Sequence, residues 1–249
     1  FIFYKRHLDD KWVNANKRNN YMDILDQGNP EELAYCLANM FRNDATYGIV
    51  GSDFTNLKTK KGQFELENQI LLDLDTLDEF DKDNRAYIEW GSRNRQCGHP
   101  YGYITSKNKL IVLDAARHLH YANKITALLK DASIARPTVL EIGGGYGGLC
   151  YEMFRTKRFE KLTFINCDLP ETLYLCYFFL KKMLPSFVTI GWAFDALPDT
   201  DIILLPAHKK GLVQNADILF NMNSLSEMGR QTVREYMELL HKIKPLHFL

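Results

Sequence analysis

The second half of the chain alternates short apolar segments with amphipathic ones. Residues 138–142, 162–167 and 216–221 are rich in β-branched and aliphatic side chains, which is typical of buried strands. The segments that follow the first two, to about residues 154 and 184, carry apolar residues at helical spacing or on nearly every side. Strands that alternate with helices predict an α/β fold with a parallel sheet and right-handed crossovers.

Weaker patterns complete this part of the chain. Residues 187–190 and 202–205 are short strand candidates, and a long helix is predicted to end near Lys244. Residues 245–249 have the composition of the opening of one more strand. We therefore expect residues 96–249 to form a Rossmann-like domain.

The first part of the chain has a helical pattern instead. Asn29 precedes Pro30 and two acids, which together predict the start of a helix. A second helix is expected over residues 64–80, with its carboxylates on a solvated face rather than at a metal ion. We expect residues 1–95 to form a helical arm or lid, and the Gly, Pro and Tyr residues at 98–103 to form a rigid turn.

Composition and charge exclude several classes of protein. The 249 residues contain 31 basic and 31 acidic side chains, so net charge gives no general attraction to nucleic acid or to anionic membranes. No apolar run approaches the roughly 18 residues of a membrane span. The five cysteines form no C-x-x-C pair, and the N-terminus lacks the basic segment and cleavage site of a signal peptide. We therefore expect buried, reduced thiols in a cytoplasmic protein.

A glycine-rich loop links the strand at 138–142 to its helix. Such a loop turns tightly, lets the backbone approach a ligand and points N–H groups into the gap. Gly143, Gly145 and Gly148 satisfy the dinucleotide pattern G-x-G-x-x-G. Glu141, two residues before the first glycine, favours instead the loop of S-adenosylmethionine (SAM) methyltransferases. A carboxylate near the end of a buried strand must be paired or hydrogen-bonded.

A second carboxylate, Asp168, closes the next strand. At that position an acid can accept hydrogen bonds from both ribose hydroxyls. Both SAM and nicotinamide sites use such an acid, so Asp168 predicts a ribose without choosing between the two cofactors. With SAM as the favoured cofactor, the predicted cofactor-binding residues are Glu141, Gly143, Gly145, Tyr146, Gly147, Asp168 and Leu169.

Three sequence elements in combination resemble one family. They are residues 139–148 (Val-Leu-Glu-Ile-Gly-Gly-Gly-Tyr-Gly-Gly), 168–173 (Asp-Leu-Pro-Glu-Thr-Leu) and 223–228 (Asn-Ser-Leu-Ser-Glu-Met). Together they resemble the sugar O-methyltransferases, a family of class I SAM-dependent enzymes, from about Gly91 onward. The sequence Gly-His-Pro-Tyr-Gly at 98–102 is similar to that family's Gly-Asn-Pro-Tyr-Gly element, with a histidine in place of asparagine.

This resemblance implies methyl transfer to a hydroxyl of a sugar or glycoconjugate. The acceptor would lie beyond the carboxyl ends of the first and fourth strands. The predicted substrate-binding residues are Tyr101, Asn223 and Ser224, and the general base is predicted among His99, His208 and Glu227. Residues 224–227 also match a capping box, S-x-x-E, which is the alternative role of Glu227.

The resemblance also implies a sheet that ends in an antiparallel hairpin. The chain stops within or just before the fifth strand of that sheet, so we expect the hairpin to be missing and a sheet edge to be exposed.

Other functions stay open at this point. One is an NAD(P)-dependent oxidoreductase on the same loop, and another is a non-catalytic SAM-binding module. A DNA amino-methyltransferase is disfavoured, because no Asn/Asp-Pro-Pro-Tyr follows residues 216–221. Asp195, Asp199 and Asp201 fit a turn better than a metal site, so no metal ligand is predicted. Neither dependence on a divalent metal nor the oligomeric state follows from the sequence.

Overall fold

The computed structural model describes residues 20–46, 49, 57–80 and 97–249. These residues fall into two compact units, an N-terminal one within Asn19–Lys124 and a C-terminal one within Ile125–Leu249. The predicted domain boundary at residues 95 and 96 lies outside the described residues and stays a prediction.

The described part of the N-terminal unit consists of helices and one hairpin. Its elements are α1 (Asn20–Gln27), α2 (Pro30–Ala38), a 3-10 turn (Asp44–Thr46), α3 (Lys60–Phe80), β1 (Gly102–Ile104), β2 (Leu110–Val112) and α4 (Ala115–Asp131), which continues into the C-terminal unit. Asn29 caps α2 as predicted, because its side-chain oxygen accepts the N–H groups of Glu31 and Glu32 at 3.0 and 3.3 Å.

Helix α3 begins earlier than the predicted start at residue 64. Thr59 Oγ1 accepts the N–H of Gly62 at 3.0 Å, so this threonine caps the helix one turn upstream. Its apolar residues form one stripe, in which Leu66, Ile70, Leu74 and Leu77 are buried and Leu71 is half-buried. Among the described residues, no three His, Cys, Asp or Glu side chains are grouped so that they could hold a metal ion.

The C-terminal unit contains the predicted α/β fold. Its elements are β3 (Thr138–Ile142), α5 (Gly148–Arg155), β4 (Thr163–Asp168), α6 (Pro170–Met183), β5 (Ile190–Trp192), β6 (Ile202–Pro206), a 3-10 helix (Ala207–Leu212), β7 (Ile218–Asn221), α7 (Ser224–Glu227), α8 (Arg230–Ile243) and β8 (His247–Phe248). Six parallel strands form one sheet in the order β5-β6-β4-β3-β7-β8. The chain leaves β3 toward β4 and later returns to its other side as β7. In parallel α/β sheets, ligands generally bind outside the carboxyl ends of the strands at such a reversal, which here involves β3 and β7.

The predicted position of the strand at residues 187–190 is wrong. The N–H of Val188 donates to the carbonyl of Pro185 at 3.0 Å, so these residues form a turn. Strand β5 begins only at Ile190, which pairs with Ile202 of β6. It lies at the outer edge of the sheet, beyond β6.

The two faces of the sheet carry different side chains. Leu140 and Ile142 belong to an apolar cluster with Tyr236 and Leu239 of α8. Because side chains alternate along a strand, Glu141 lies on the opposite face. Its direct partner in the register of β3 and β4 is Asn166. Two polar side chains thus stand next to each other near the carboxyl end of the sheet.

The cysteines are buried, as predicted. None of the five forms a disulfide. Within the described part of the chain, no helix is both long enough and apolar enough to cross a lipid bilayer.

Candidate functional site

The glycine loop between β3 and α5 has a backbone that glycine alone adopts easily. Gly143, Gly145 and Gly147 have φ angles of 71°, 56° and 88°, a region that other residues rarely occupy. The N–H of Gly143 donates to the Cys167 carbonyl at 2.8 Å, and that of Gly147 to the Gly144 carbonyl at 3.0 Å. The loop is therefore a tight turn fastened to the end of β4.

At Gly144 it is space, and not the φ angle, that requires glycine. A Cβ built on this residue would lie 2.6 Å from Glu141 Oε2, and 2.6 and 2.7 Å from Asn166 Nδ2 and Oδ1. The exposed fractions of Glu141 and Asn166 are only 2% and 0%. The backbone of the loop thus rests on these two side chains, and Glu141 lies beneath the loop. Burial, and next the nearby Asp168 carboxylate, raise the pKa of Glu141 to about 8.

Asp168 approaches the loop from the end of β4. Its Oδ2 accepts the N–H of Gly145 at 2.8 Å, and its Oδ1 accepts the N–H of Leu169 at 2.6 Å. Burial raises the pKa of Asp168 to about 7, although both of these hydrogen bonds act in the opposite direction. The residue is partly exposed. This carboxyl group therefore joins β4 to the loop.

Tyr146 contributes mainly its backbone to the loop. Its side chain is 6% exposed, and its ring packs edge-on against Phe179 of α6, with 4.9 Å between the ring centroids. This contact anchors the loop to α6. Any contact of Tyr146 with a ligand above the loop therefore falls to its backbone.

Polar residues at the end of β7 and just after it hold the start of the loop. Ser224 Oγ and Asn221 Nδ2 both donate to the Ile142 carbonyl, at 2.9 and 2.8 Å. Asn221 Nδ2 also donates to Ser224 Oγ, and Asn221 Oδ1 accepts the N–H of Leu225 at 3.3 Å. A Cβ on Gly143 would collide with Ser224 Oγ. This network connects the ends of β3 and β7.

The predicted capping box at residues 224–227 does not form. The N-cap of α7 is Asn223, which has a φ of 71° and makes no side-chain cap hydrogen bond. The hydroxyl of Ser224 is used for the Ile142 carbonyl, and Asn221 accepts an N–H of the first turn instead. The sequence reasoning missed both Asn221 and Asn166. Their one signal is an asparagine inside or at the end of an otherwise apolar strand.

Replacing Asn221 with Ala is expected to lower the free energy of unfolding by about 1–2 kcal/mol. The change removes hydrogen bonds to a partly buried carbonyl and to an N–H of α7. Urea denaturation measures it. Asn215→Ala is the matched control, because Asn215 is exposed and such sites usually stay within about 0.5 kcal/mol. Equal stability of the two variants would contradict the role of this network.

Within the C-terminal unit, the predicted acceptor and base residues follow two different strands. Asn223, Ser224 and Glu227 lie together after β7, with Asn223 and Glu227 exposed. His208 follows β6, which β4 and β3 separate from β7 in the sheet. His99 and Tyr101 belong to the N-terminal unit.

In the N-terminal unit, Arg42 holds the turn that contains His99 and Tyr101. The guanidinium of Arg42 lies 3.6 Å from the centroid of the Tyr101 ring, and its Nε donates to the His99 carbonyl at 2.8 Å. His99 Nδ1 lies 3.4 Å from Asn39 Oδ1. These contacts fasten the turn to Arg42 and Asn39, and the roles of His99 and Tyr101 at an acceptor stay predictions.

Neither a family model nor a curated protein matches the sequence. The chain is similar to several solved structures. The mitomycin 7-O-methyltransferase MmcR has 17% sequence identity over 52% of this chain and 34% of that chain, with a TM-score of 0.37. The methyltransferase domain of bacterial CtHen1-CN has 15% identity over 54% of this chain and 64% of that chain, with a TM-score of 0.38. CalS10, an amino pentose methyltransferase from Micromonospora echinaspora with bound SAM, has 16% identity over 51% of this chain and 46% of that chain, with a TM-score of 0.34. The matched part therefore spans less than two thirds of each of these three methyltransferases.

Proposed function

We propose that this protein is a SAM-dependent O-methyltransferase. The observation that supports it most directly is the placement of two carboxyl groups at the glycine loop. Glu141 lies beneath Gly144, and Asp168 accepts the N–H of Gly145 at 2.8 Å. When bound, SAM supplies an electrophilic methyl group on a positively charged sulfonium.

The charge around the loop favours SAM over a dinucleotide. A dinucleotide places a negatively charged diphosphate against loop N–H groups, but here the N–H of Gly145 is already bonded to a carboxylate. Lys210, in the 3-10 helix after β6, offers little compensation, since it pairs with Glu235 at 2.8 Å. The ionised form of Asp168 repels a diphosphate and attracts a cationic sulfonium. The same loop therefore suits SAM better.

Asp168 is proposed to hold the ribose of the cofactor. It is partly exposed at the carboxyl end of β4, and a carboxylate there can accept two ribose hydroxyls. Pro206 is its register partner on β6, so the 3-10 helix that starts at Ala207 begins beside it. His208 would then lie at the nucleoside end of the cofactor. That position suits a contact with the nucleoside better than the removal of an acceptor proton.

The acceptor hydroxyl is proposed to lie at the carboxyl ends of β3 and β7. Of the three base candidates, Glu227 follows β7 directly and is exposed there. An in-line displacement needs a base within hydrogen-bond reach of the attacking hydroxyl. We therefore assign Glu227 as the base and Asn223 as an acceptor contact. The assignment of a sugar as acceptor rests on the sequence motifs alone.

Calorimetry with SAM, S-adenosylhomocysteine (SAH) and NADH tests the cofactor. We expect binding of SAM and SAH and none of NADH, and heat from NADH alone would reject the proposal. Mass spectrometry of reactions with a panel of free and nucleotide-linked sugars tests the acceptor. A protein that binds SAM but forms no SAH with any acceptor would be a binding module instead of an enzyme.

A further inference from the structure

In the part of the chain that the structure describes, two buried acceptor atoms under the glycine loop have no hydrogen-bond partner. They are Glu141 Oε2 and Asn166 Oδ1. Both border the position that a Cβ on Gly144 would occupy, at 2.6 and 2.7 Å. Glu141 and Asn166 also face each other in the register of β3 and β4. Two unsatisfied acceptors side by side are costly, because each has lost its hydrogen bonds to water without gaining one in the protein.

A single proton on Glu141 would give both of these oxygen atoms a hydrogen-bond partner. The amide nitrogen of Asn166 already donates to Cys176 Sγ at 3.2 Å, so its carbonyl oxygen is the amide atom left for the register partner, Glu141. An ionised Glu141 would oppose this carbonyl with a second acceptor. A neutral Glu141 carries an O–H group that can donate to it.

We infer that neutral Glu141 donates a hydrogen bond to the carbonyl oxygen of Asn166, and that this pair positions the glycine loop for its ligand. The inference deepens the proposed function, because the ligand is the SAM assigned above. Both are positioning residues. They act through the backbone of Gly144, which rests on them.

The surroundings of Glu141 disfavour its ionised form. Asp168 on β4 is the nearby charged group that affects it. The carboxyl group of Glu141 in turn raises the pKa of two buried thiols, Cys150 on α5 and Cys176 on α6. The residue opposite it on β7 is Phe220. Ionisation would therefore place a second negative charge near Asp168 in an apolar setting.

This arrangement makes the loop sensitive to pH. The pKa of Glu141 is raised from 4.5 to about 8, first by burial and then by Asp168. Between these two values the folded protein holds a proton that the unfolded chain has released, so the stabilisation is complete below the window. It is lost as the pH rises through about 8. Ligand affinity is expected to fall over the upper part of the same range.

Glu141→Gln tests the pair without emptying its space. The glutamine amide can donate to the Asn166 carbonyl at every pH. We expect the wild-type affinity for SAH to fall about fivefold or more between about pH 7 and pH 9, and that of the variant to change less than about twofold. Equal pH dependence of the two proteins would overturn the inference. Asp168, whose pKa is raised to about 7, is present in both proteins.

Difference infrared spectroscopy provides a readout that needs no cofactor. The wild-type minus Glu141→Gln spectrum at about pH 7 is expected to show the C=O stretch of a protonated carboxyl group, which disappears above about pH 8. Glu238→Gln, at an exposed position of α8, is the control and should show no such band. Absence of the band in the first spectrum would mean an ionised Glu141 that accepts from a reversed Asn166 amide, and would overturn the inference. If the band is present but SAH does not bind, the pair stands and the proposed function fails.

Discussion

Asp168→Ala is expected to lower the affinity for SAH by about 100-fold. The carboxylate accepts the N–H groups of Gly145 and Leu169 and is proposed to accept the ribose hydroxyls as well. Charge-assisted hydrogen bonds contribute roughly 1.5–3 kcal/mol each, and about 1.4 kcal/mol corresponds to a tenfold change in affinity. Calorimetry at constant pH measures the effect. Asp168→Asn keeps one acceptor and is expected to fall between the two proteins.

Asp195→Ala is the matched control for this experiment. The Asp195 side chain is 99% exposed, and its nearest cation, Lys209, lies 3.6 Å away. Exposed ion pairs contribute little, so the affinity for SAH should stay within about twofold of wild type. If Asp168→Ala behaves like this control, Asp168 does not hold the cofactor and the proposed site is wrong.

Gly144→Ala is expected to destabilise the fold and weaken cofactor binding together. The added Cβ would lie 2.6 Å from Glu141 Oε2 and 2.6 Å from Asn166 Nδ2. Neither side chain can withdraw, because both are buried. Overpacking of this kind typically costs about 1–3 kcal/mol, and the displaced loop no longer presents its N–H groups in place. Urea denaturation and SAH calorimetry measure the two effects.

Gly211→Ala is the control for the glycine substitution. A Cβ at Gly211 meets nothing within 4 Å, and its φ angle is not positive. Its stability is expected to remain within about 0.5 kcal/mol of wild type, with unchanged SAH affinity. An equally small effect of Gly144→Ala would show that the loop does not rest on Glu141 and Asn166.

Much of the C-terminal fold is predictable from local pattern. Strands β3, β4 and β7 are short runs of β-branched and aliphatic residues, and α6 begins with a proline. Their alternation with helices predicts the parallel sheet. The predicted boundaries of β5 and α3 were wrong because a local hydrogen bond sets each of them. The turn at Pro185 displaced β5, and Thr59 extended α3 by one turn.

The site was only partly predictable, because spacing along the chain does not tell which polar groups meet. The motif at Ser224–Glu227 suggests a capping box, but the serine hydroxyl donates instead to the Ile142 carbonyl at the end of β3. Tyr146 lies within the loop, yet its ring is buried and packs against Phe179. The sequence does not show that Asn166 lies next to Glu141, because this contact depends on the register of β3 and β4.

The sequence by itself determined that a glycine loop follows a buried acid, and that a second acid closes the next strand. Those features follow from local backbone preference and burial, which a single segment carries in full. Only the tertiary structure decided that the loop rests on Glu141 and Asn166, and that Asp168 bonds to Gly145. These contacts join residues from different strands and the loop, so they depend on the strand order and register of the folded sheet.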